Sequence, residues 1–185
     1  MRKPIILVGG TAGTGKSTLA RELSSRLHID HRLGTGFVRE VLRSETSVTK
    51  DPELFTFTFR SDNPIKTLIA QARRLRPAVL SCLRRARNEG TSLIIEGNHL
   101  IPELYHEADV DLYLILSAPD FDEHLRRLQG PSHLNRTITA DDFNNAGMIN
   151  EYFRAEAEKF ALLFLLYGDN ISSFTSLANE SPGVR

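Results

Sequence analysis

The chain has 185 residues, of which 41% are hydrophobic and 25% charged, and its formal net charge at pH 7 is zero. This length suits one domain with a good core and is short for two, so we expect a single domain over residues 1–185. The balanced charge gives no global field that favours nucleic acid or an anionic membrane as a partner. Cys82 is the only cysteine, which excludes a disulfide framework and a cysteine metal cluster. No apolar run reaches membrane-spanning length and no signal peptide precedes the first strand, so we expect a cytoplasmic protein.

The first elements of the chain are a strand, a glycine-rich loop and a helix. The apolar run at residues 5–8 predicts a buried strand, and a helical pattern follows at about residues 16–27. Between them, residues 10–17 match G-x-x-x-x-G-K-[ST] at every fixed position. Glycines let the backbone close around a polyphosphate, and the start of the helix adds a positive dipole end. A glycine-rich turn that matched by accident would lack this flanking strand and helix.

The residue types of this loop predict a nucleoside triphosphate site. Lys16 is expected to reach the β- and γ-phosphates as a catalytic cation, and the Ser17 hydroxyl is expected to ligate Mg²⁺. A nucleoside triphosphate and Mg²⁺ are therefore the predicted ligands of this loop. The predicted nucleotide-binding residues are Gly10, Thr11, Ala12, Gly13, Thr14, Gly15, Lys16, Ser17 and Thr18.

Strand and helix patterns alternate through the rest of the chain. Strands are predicted at residues 32–35, 92–95, 111–116 and 162–167, and helices at residues 37–43, 68–88, 119–128 and 141–160. The alternation predicts an α/β P-loop NTPase fold, a three-layer sandwich with a five-stranded parallel sheet and helices on both faces. Ligands of such sheets bind at the carboxyl ends of the strands. Pro77 is expected to kink or split its helix, and Thr139 with Asp142 predicts a capping box.

Two segments depart from the alternation. Residues 44–64 carry Phe55, Phe57 and Phe59 at alternating positions. A short strand is one interpretation, and a loop or helical flap over an acceptor site is the one we favour. The polar segment at residues 129–140 lies between two helices, where small phosphotransferases carry a lid. We therefore expect an acceptor-side region at about residues 36–66 and a lid at about residues 129–140.

The helix at residues 68–88 is rich in arginine, which could indicate a surface for nucleic acid. The alternative is the solvated face of an amphipathic helix. No aromatic residues are interleaved for base stacking, so we favour the solvated face. The arginines are Arg73, Arg74, Arg76, Arg84, Arg85 and Arg87.

Three segments together resemble one known family. Residues 9–18 read GGTAGTGKST, residues 39–43 read REVLR, and residues 96–102 read EGNHLIP. In order and spacing these resemble the 2-phosphoglycerate kinase family of P-loop kinases, over the chain up to about Leu116. The resemblance implies transfer of the ATP γ-phosphoryl group to the hydroxyl of a phosphorylated three-carbon acid. Members often carry Thr-Asp where this chain has Thr35-Gly36, so a carboxylate that could position metal or accept a proton is missing here.

Several side chains near the predicted strand ends are candidates for the reaction and for the acceptor. Glu96 ends an apolar strand and could orient the attacking hydroxyl or the magnesium hydration shell, so we assign it a catalytic role. The alternative is a carboxylate that caps the next turn. Thr35, Asn98 and His99 are assigned to acceptor binding, although a lone histidine could equally be a hydrogen-bonding residue of the loop.

Arg39 and Arg43 lie four residues apart and so share one helix face. Paired guanidinium groups suit an acceptor rich in carboxylate and phosphate oxygens, and we assign both to acceptor binding. Alternatively, either could pair with Glu40 or Glu45 at the surface.

Transfer of a phosphoryl group also requires cations over the transferring phosphate. Arg126, Arg127 and Arg136 flank or occupy the predicted lid. In similar kinases lid arginines have this role, and we assign Arg126 and Arg136 as catalytic.

The sequence thus predicts an ATP- and Mg²⁺-dependent kinase that acts on a hydroxyl of a small anionic acceptor, with no nucleic-acid or membrane partner. Its oligomeric state is not predicted. A nucleoside or nucleotide kinase, or a phosphotransferase for antibiotics or sugar acids, remains open on the same fold. A nucleotide-dependent switch or ATPase is less favoured, since the Asn-Lys-x-Asp element of GTPases is absent.

Overall fold

A computed structural model describes residues 2–130 and 138–166 of the chain. Within these ranges, five parallel strands form one sheet in the order β2-β3-β1-β4-β5. The strands are β1 (Ile5–Gly9), β2 (His31–Gly34), β3 (Leu93–Glu96), β4 (Leu112–Ser117) and β5 (Leu163–Leu166). The α/β class and the five-stranded parallel sheet that the alternation predicts are confirmed.

Within the described ranges, long helices lie between β1 and β2, between β2 and β3, and between β4 and β5, whereas only a short helical turn lies between β3 and β4. The long helices are α1 (Lys16–Arg26), α2 (Thr35–Ser44), α4 (Pro64–Glu89), α6 (Phe121–Leu128) and α7 (Ala140–Lys159). The short elements are α3 (Pro52–Phe55), a 3₁₀ turn (Thr58–Arg60) and α5 (Pro102–Tyr105). The sequence patterns predict all five long helices, whereas α5 falls in a stretch without a helical pattern.

The residues of β1 alternate between two hydrophobic cores. Ile5 and Leu7 pack in a core that includes buried residues of α4 and α7. Ile6 and Val8 face the other way and pack with the buried stripe of α1. Full burial of such a side chain stabilises a fold by about 1.5–3 kcal/mol. A strand that is apolar on both faces therefore holds helices on both faces of the sheet, as the three-layer prediction requires.

α4 runs without interruption past Pro77. The alternative in which Pro77 splits this helix is therefore wrong. Proline in a helix interior costs about 3 kcal/mol, but Leu75, Val79 and Leu83 form a buried stripe on either side of it. Burial of these three side chains outweighs the cost of the proline.

The arginine-rich face of α4 is paired with acidic side chains. Arg74 Nε lies 2.8 Å from Asp51 Oδ1, and Arg87 Nη2 lies 2.8 Å from Asp111 Oδ2. Arg85 pairs with Glu89 one turn further along the same helix. These pairs favour the solvated-face interpretation of the helix. Within the described ranges, no helix has the length and apolar character needed to cross a membrane.

The capping box predicted at the start of α7 is confirmed. The Asp142 backbone N–H donates to Thr139 Oγ1, and the Thr139 backbone N–H donates to Asp142 Oδ2, both at 3.1 Å. The cap fixes the first turn of a helix whose Phe143, Ile149 and Phe153 are buried in the core.

The strand register places the predicted functional segments at one edge of the sheet. Glu96 at the end of β3 is aligned with Val8 in β1 and with Gly34 in β2. The glycine-rich loop follows β1, and α2 begins directly after β2. Both segments therefore flank the carboxyl end of β3, where α/β sheets bind ligands.

Candidate active site

The glycine-rich loop requires glycine at two positions, one because of its backbone conformation and one because of a close approach. Gly15 precedes α1 with a φ of 88°, in the left-handed region that other residues rarely adopt. Gly10 has a φ of 134°, and a Cβ there would lie 2.2 Å from the Leu116 carbonyl oxygen. The loop therefore packs against the end of β4 in a way that a side chain at position 10 would prevent.

The Lys16 side chain folds back over the loop. Its Nζ donates to the carbonyl oxygen of Thr11, and the Thr14 hydroxyl donates to the same oxygen at 2.9 Å. Only 8% of Lys16 is exposed. Burial lowers the Lys16 pKa to about 8, although the negative charge of Glu96 opposes this shift. The Lys16 ammonium group therefore loses its proton more readily than an exposed lysine, until an anion that binds beside it stabilises the charged form.

Ser17 and Glu96 meet although they lie 79 residues apart in the chain. The Ser17 hydroxyl, in the first turn of α1, donates to Glu96 Oε1 at 2.8 Å. The predicted metal ligand and the predicted catalytic carboxylate are therefore in direct contact. A hydroxyl and a carboxylate are hard oxygen donors, which Mg²⁺ prefers together with substrate phosphates. These two residues fit the predicted metal ion.

A cavity of about 760 Å³ lies over this pair. On the loop side it is lined by Ala12, Gly13, Gly15, Lys16, Ser17 and Thr18. The other predicted nucleotide-binding residues do not line it: Gly10 packs against β4, and Thr11 and Thr14 are fully buried within the loop. On the side of β2 and β3, the cavity brings together the predicted acceptor residues Thr35, Arg39, Asn98 and His99.

Arg39 is anchored at the cavity wall by backbone carbonyls. Its Nε donates to Leu54 O at 2.7 Å and its Nη2 donates to Thr56 O at 3.3 Å. Among residues 2–130 and 138–166, no carboxylate lies within 4.0 Å of this guanidinium group, and its partial burial lowers its pKa. Arg39 is therefore a positioned cation whose charge is not neutralised by direct contact with a carboxylate in that part of the chain.

Arg43 lies outside the cavity, and its assignment to acceptor binding needs correction. Its Nη1 lies 2.9 Å from both carboxylate oxygens of Glu40, and its guanidinium group stacks 4.7 Å from the Phe55 ring centroid. The shared helix face was predicted correctly, but the acidic and aromatic neighbours hold Arg43 at the surface. The surface pair with Glu40, which the sequence left open, is the arrangement found.

His99 is a buried hydrogen-bonding residue of the loop after β3. Its Nδ1 lies 2.9 Å from Thr35 Oγ1 and its Nε2 lies 3.2 Å from Gln71 Oε1. Burial lowers the His99 pKa to about 3, and the positive charges of Arg39 and Lys16 add to this shift. The imidazole is therefore neutral near pH 7 and supplies no positive charge to an acceptor. The polar network around His99 is one that the sequence analysis missed.

The segment between α2 and α4 is a helical flap, not a strand. It is formed by α3 and the 3₁₀ turn, so the helical interpretation is confirmed. Phe57 and Phe59 line the cavity and pack edge to face with ring centroids 5.6 Å apart. Phe55 packs instead beneath Arg43.

α6 contacts the glycine-rich loop and carries two of the candidate lid arginines. His124 Nε2 donates to the Ala12 carbonyl oxygen at 2.8 Å, a contact that no sequence pattern indicates. Arg126 and Arg127 line the cavity, and their hydrogen bonds lower the Glu123 pKa to about 2. Arg136 and most of the predicted lid lie outside the described residues.

The fold and the site define a P-loop protein, with its phosphate-binding loop after β1 and a carboxylate at the end of the adjacent β3. A family model described as AAA domain matches residues 6–156, and the chain belongs to this family.

Two relatives have more specific names than the family model. The chain is 34% identical over 174 residues to a 2-phosphoglycerate kinase of Methanococcus maripaludis strain C6, covering 84% of this chain and 56% of that protein. It is 33% identical over 175 residues to a 2-phosphoglycerate kinase of Methanocaldococcus jannaschii, covering 85% of this chain and 57% of the relative. The chain thus spans about half the length of these curated relatives. The resemblance predicted from the three sequence segments is confirmed.

A solved structure of shikimate kinase from Acinetobacter baumannii is similar in fold. The two chains superimpose with a TM-score of 0.62 at 12% sequence identity, and the match covers 97% of this chain and 95% of that chain. At this identity the likeness supports the three-layer fold alone.

Proposed function

We propose that the protein is an ATP- and Mg²⁺-dependent kinase that transfers the γ-phosphoryl group to a hydroxyl of a small anionic acceptor. 2-Phosphoglycerate is the first candidate acceptor, because relatives that match most of this chain carry that name. The observation that carries the proposal is the 2.8 Å contact between Ser17 and Glu96 beside Lys16, in the cavity that also contains Arg39.

On the nucleotide side, Lys16 and the loop backbone bind the phosphates. When a triphosphate enters, the Lys16 ammonium exchanges its contact with Thr11 O for the β- and γ-phosphate oxygens. Ser17 and Glu96 would hold Mg²⁺, which offsets the negative charge of the phosphates when bound. Arg126 and Arg127 approach the same cavity from α6 and supply further positive charge near the transferring group.

On the acceptor side, the cavity favours a negatively charged molecule. An acceptor with phosphate and carboxylate groups must bind next to the ATP phosphates, so it requires a cation of its own. Arg39 supplies that cation, and the donors not used by Leu54 O and Thr56 O can form a bidentate contact. Glu96 orients the attacking hydroxyl, since the neighbouring Gly36 has no side chain to do so.

A nucleoside acceptor is the main competing candidate, since Phe57 and Phe59 also line the cavity and could stack on a base. The test offers the protein ATP and Mg²⁺ with separate acceptors: 2-phosphoglycerate, glycerate, other phosphorylated hydroxy acids, and nucleosides. Mass spectrometry of the products should show phosphorylation of 2-phosphoglycerate ahead of the uncharged acceptors. Phosphorylation of nucleosides alone, or rapid ATP hydrolysis without any acceptor, would contradict the proposal.

A further inference from the structure

The side chain of Gln71 in α4 lies fully buried between the flap and the loop after β3. It does not line the cavity, yet it contacts residues from three other segments. Its Nε2 donates to Glu53 O at 2.7 Å and to Thr56 O at 2.8 Å. Its Oε1 accepts from Thr58 Oγ1 at 2.8 Å and lies 3.2 Å from His99 Nε2. The amide nitrogen and the amide oxygen of Gln71 therefore have two hydrogen-bond partners each.

These contacts fix which way the amide points. Only a donor can approach two carbonyl oxygens at such distances, so the nitrogen of Gln71 must face Glu53 and Thr56. The oxygen of Gln71 then faces His99, and because a carbonyl oxygen only accepts, His99 must carry its proton on Nε2. In the neutral ring Nδ1 is then an acceptor, so the Thr35 hydroxyl donates to it. The hydrogen bonds thus have one direction, from Thr35 through His99 to Gln71.

The same amide supports the contact that anchors Arg39. The carbonyl oxygen of Thr56 accepts from both Gln71 Nε2 and Arg39 Nη2. Leu54, whose carbonyl oxygen is the other anchor of Arg39, lies in the chain between Glu53 and Thr56, the two residues whose carbonyl oxygens Gln71 binds. The flap backbone at residues 53–56 is therefore held by Gln71 on one side and binds Arg39 on the other.

We propose that Gln71 is a positioning residue for the acceptor: it fixes the flap backbone at residues 53–56 and thereby the orientation of the Arg39 guanidinium group in the cavity. This inference rests on the proposed function, in which Arg39 binds the acceptor. Gln71 acts through Arg39 and does not touch the substrates. Its effect is therefore confined to the acceptor side of the cavity.

Two substitutions distinguish the role of the amide nitrogen of Gln71 from the role of its oxygen. Gln71→Met keeps the length of the side chain and removes all four contacts. Gln71→Glu keeps the acceptor oxygen that faces Thr58 and His99, but it places a second acceptor oxygen against the carbonyls of Glu53 and Thr56. Both variants lose the flap contact, and only Gln71→Met also releases the constraint on His99.

Steady-state kinetics with 2-phosphoglycerate should show the acceptor KM raised about tenfold or more in both variants, with the KM for ATP changed less than twofold. In an Arg39→Ala background, Gln71→Met should raise the acceptor KM no further, because the two residues act as one unit. The control is Asp111→Asn at the opposite end of the sheet, which weakens partly buried contacts to Ile5 N and Arg87. A purely structural role for Gln71 predicts that its variants behave like this control, with lower thermal stability and an unchanged acceptor KM, and that result would overturn the inference.

A second readout does not depend on activity. In ¹⁵N NMR spectra the Arg39 Nε–H should give a signal protected from solvent exchange in the wild type and in Asp111→Asn, and this protection should be lost in both Gln71 variants. The nitrogen shifts of His99 should show a proton on Nε2 in the wild type and in Gln71→Glu. If the wild type does not phosphorylate 2-phosphoglycerate, the proposed function fails, while the Arg39 signal still decides the inference. Unchanged Arg39 protection in Gln71→Met would refute it.

Discussion

Ser17 in the first turn of α1 donates a 2.8 Å hydrogen bond to Glu96 at the end of β3. The contact joins the phosphate-binding loop to the next strand of the sheet and places two hard oxygen donors together. A carboxylate that capped the turn after β3 would accept from a backbone N–H of that turn, whereas Glu96 Oε1 accepts from the Ser17 hydroxyl. The geometry therefore favours the functional role of Glu96 over the capping role.

Replacement of Glu96 by Gln should lower kcat by about 10²-fold or more, since it removes the charge that orients the metal and the attacking hydroxyl. The KM for ATP should change little, and the Mg²⁺ concentration for half-maximal rate should rise. The amide oxygen can still accept from Ser17, so the melting temperature should stay close to that of the wild type. Glu40→Gln, a second carboxylate at the cavity, is the matched control. A lower melting temperature with unchanged kcat would support the capping role instead.

The depressed Lys16 pKa predicts how nucleotide binding depends on pH. In the free protein the pKa is about 8, and bound phosphates stabilise the charged form and raise it. Nucleotide binding therefore takes up a proton above about pH 8. Near pH 6–7 Lys16 is already charged, so the affinity for ATP should not depend on its titration there. It should then fall by up to about tenfold per pH unit as the pH rises through 8 to 9. Titration calorimetry in buffers of different ionisation enthalpy measures this uptake directly. An affinity that stays constant between pH 7 and 9 would exclude this linkage.

Arg39→Ala should raise the acceptor KM by about 10- to 100-fold, the loss expected for one charge-assisted contact of about 1.5–3 kcal/mol. Arg39→Lys should recover only part of this, because an ammonium group cannot make the planar contact. Arg43→Ala is the matched control on the same helix and should change the acceptor KM little, since Arg43 does not line the cavity and its charge is paired with Glu40. Equal effects of the two alanine variants on the acceptor KM would contradict this assignment.

The pattern of success and failure in the sequence predictions has a physical cause. The loop at residues 10–17 is a local motif, and Glu96 could be placed beside it because parallel strands end at the same edge of a sheet. Gln71 and His124 were missed because their partners are set by tertiary packing. The one available signal was a polar residue, Gln71, on the otherwise apolar stripe of α4. For Arg43, the helical spacing gave the correct face but could not show that Glu40 and Phe55 lie against it.

The buried, neutral His99 predicts a pH dependence of stability. Its pKa is about 3 in the folded protein and near 6.5 when unfolded. As the pH falls below 6.5 the unfolded chain binds a proton that the folded protein does not, so the free energy of unfolding falls, by at most about 1.4 kcal/mol per pH unit for this group. The free energy of unfolding, measured by urea unfolding at several pH values between 7 and 4, should therefore change less with pH for His99→Gln than for the wild type. The same dependence on pH in both proteins would mean that His99 is protonated in the folded protein.

The proposal that this protein is a kinase is tested by comparing ATP turnover with and without 2-phosphoglycerate in the presence of Mg²⁺, for the wild type and for Lys16→Ala. Lys16 supplies the cation at the β- and γ-phosphates, so its loss should reduce turnover by about 10³-fold or more without unfolding the protein. Wild-type turnover should be very low without an acceptor, rise strongly with 2-phosphoglycerate, yield a doubly phosphorylated glycerate, and disappear in Lys16→Ala. Turnover that is independent of every acceptor, or near-normal activity of Lys16→Ala, would contradict the proposal.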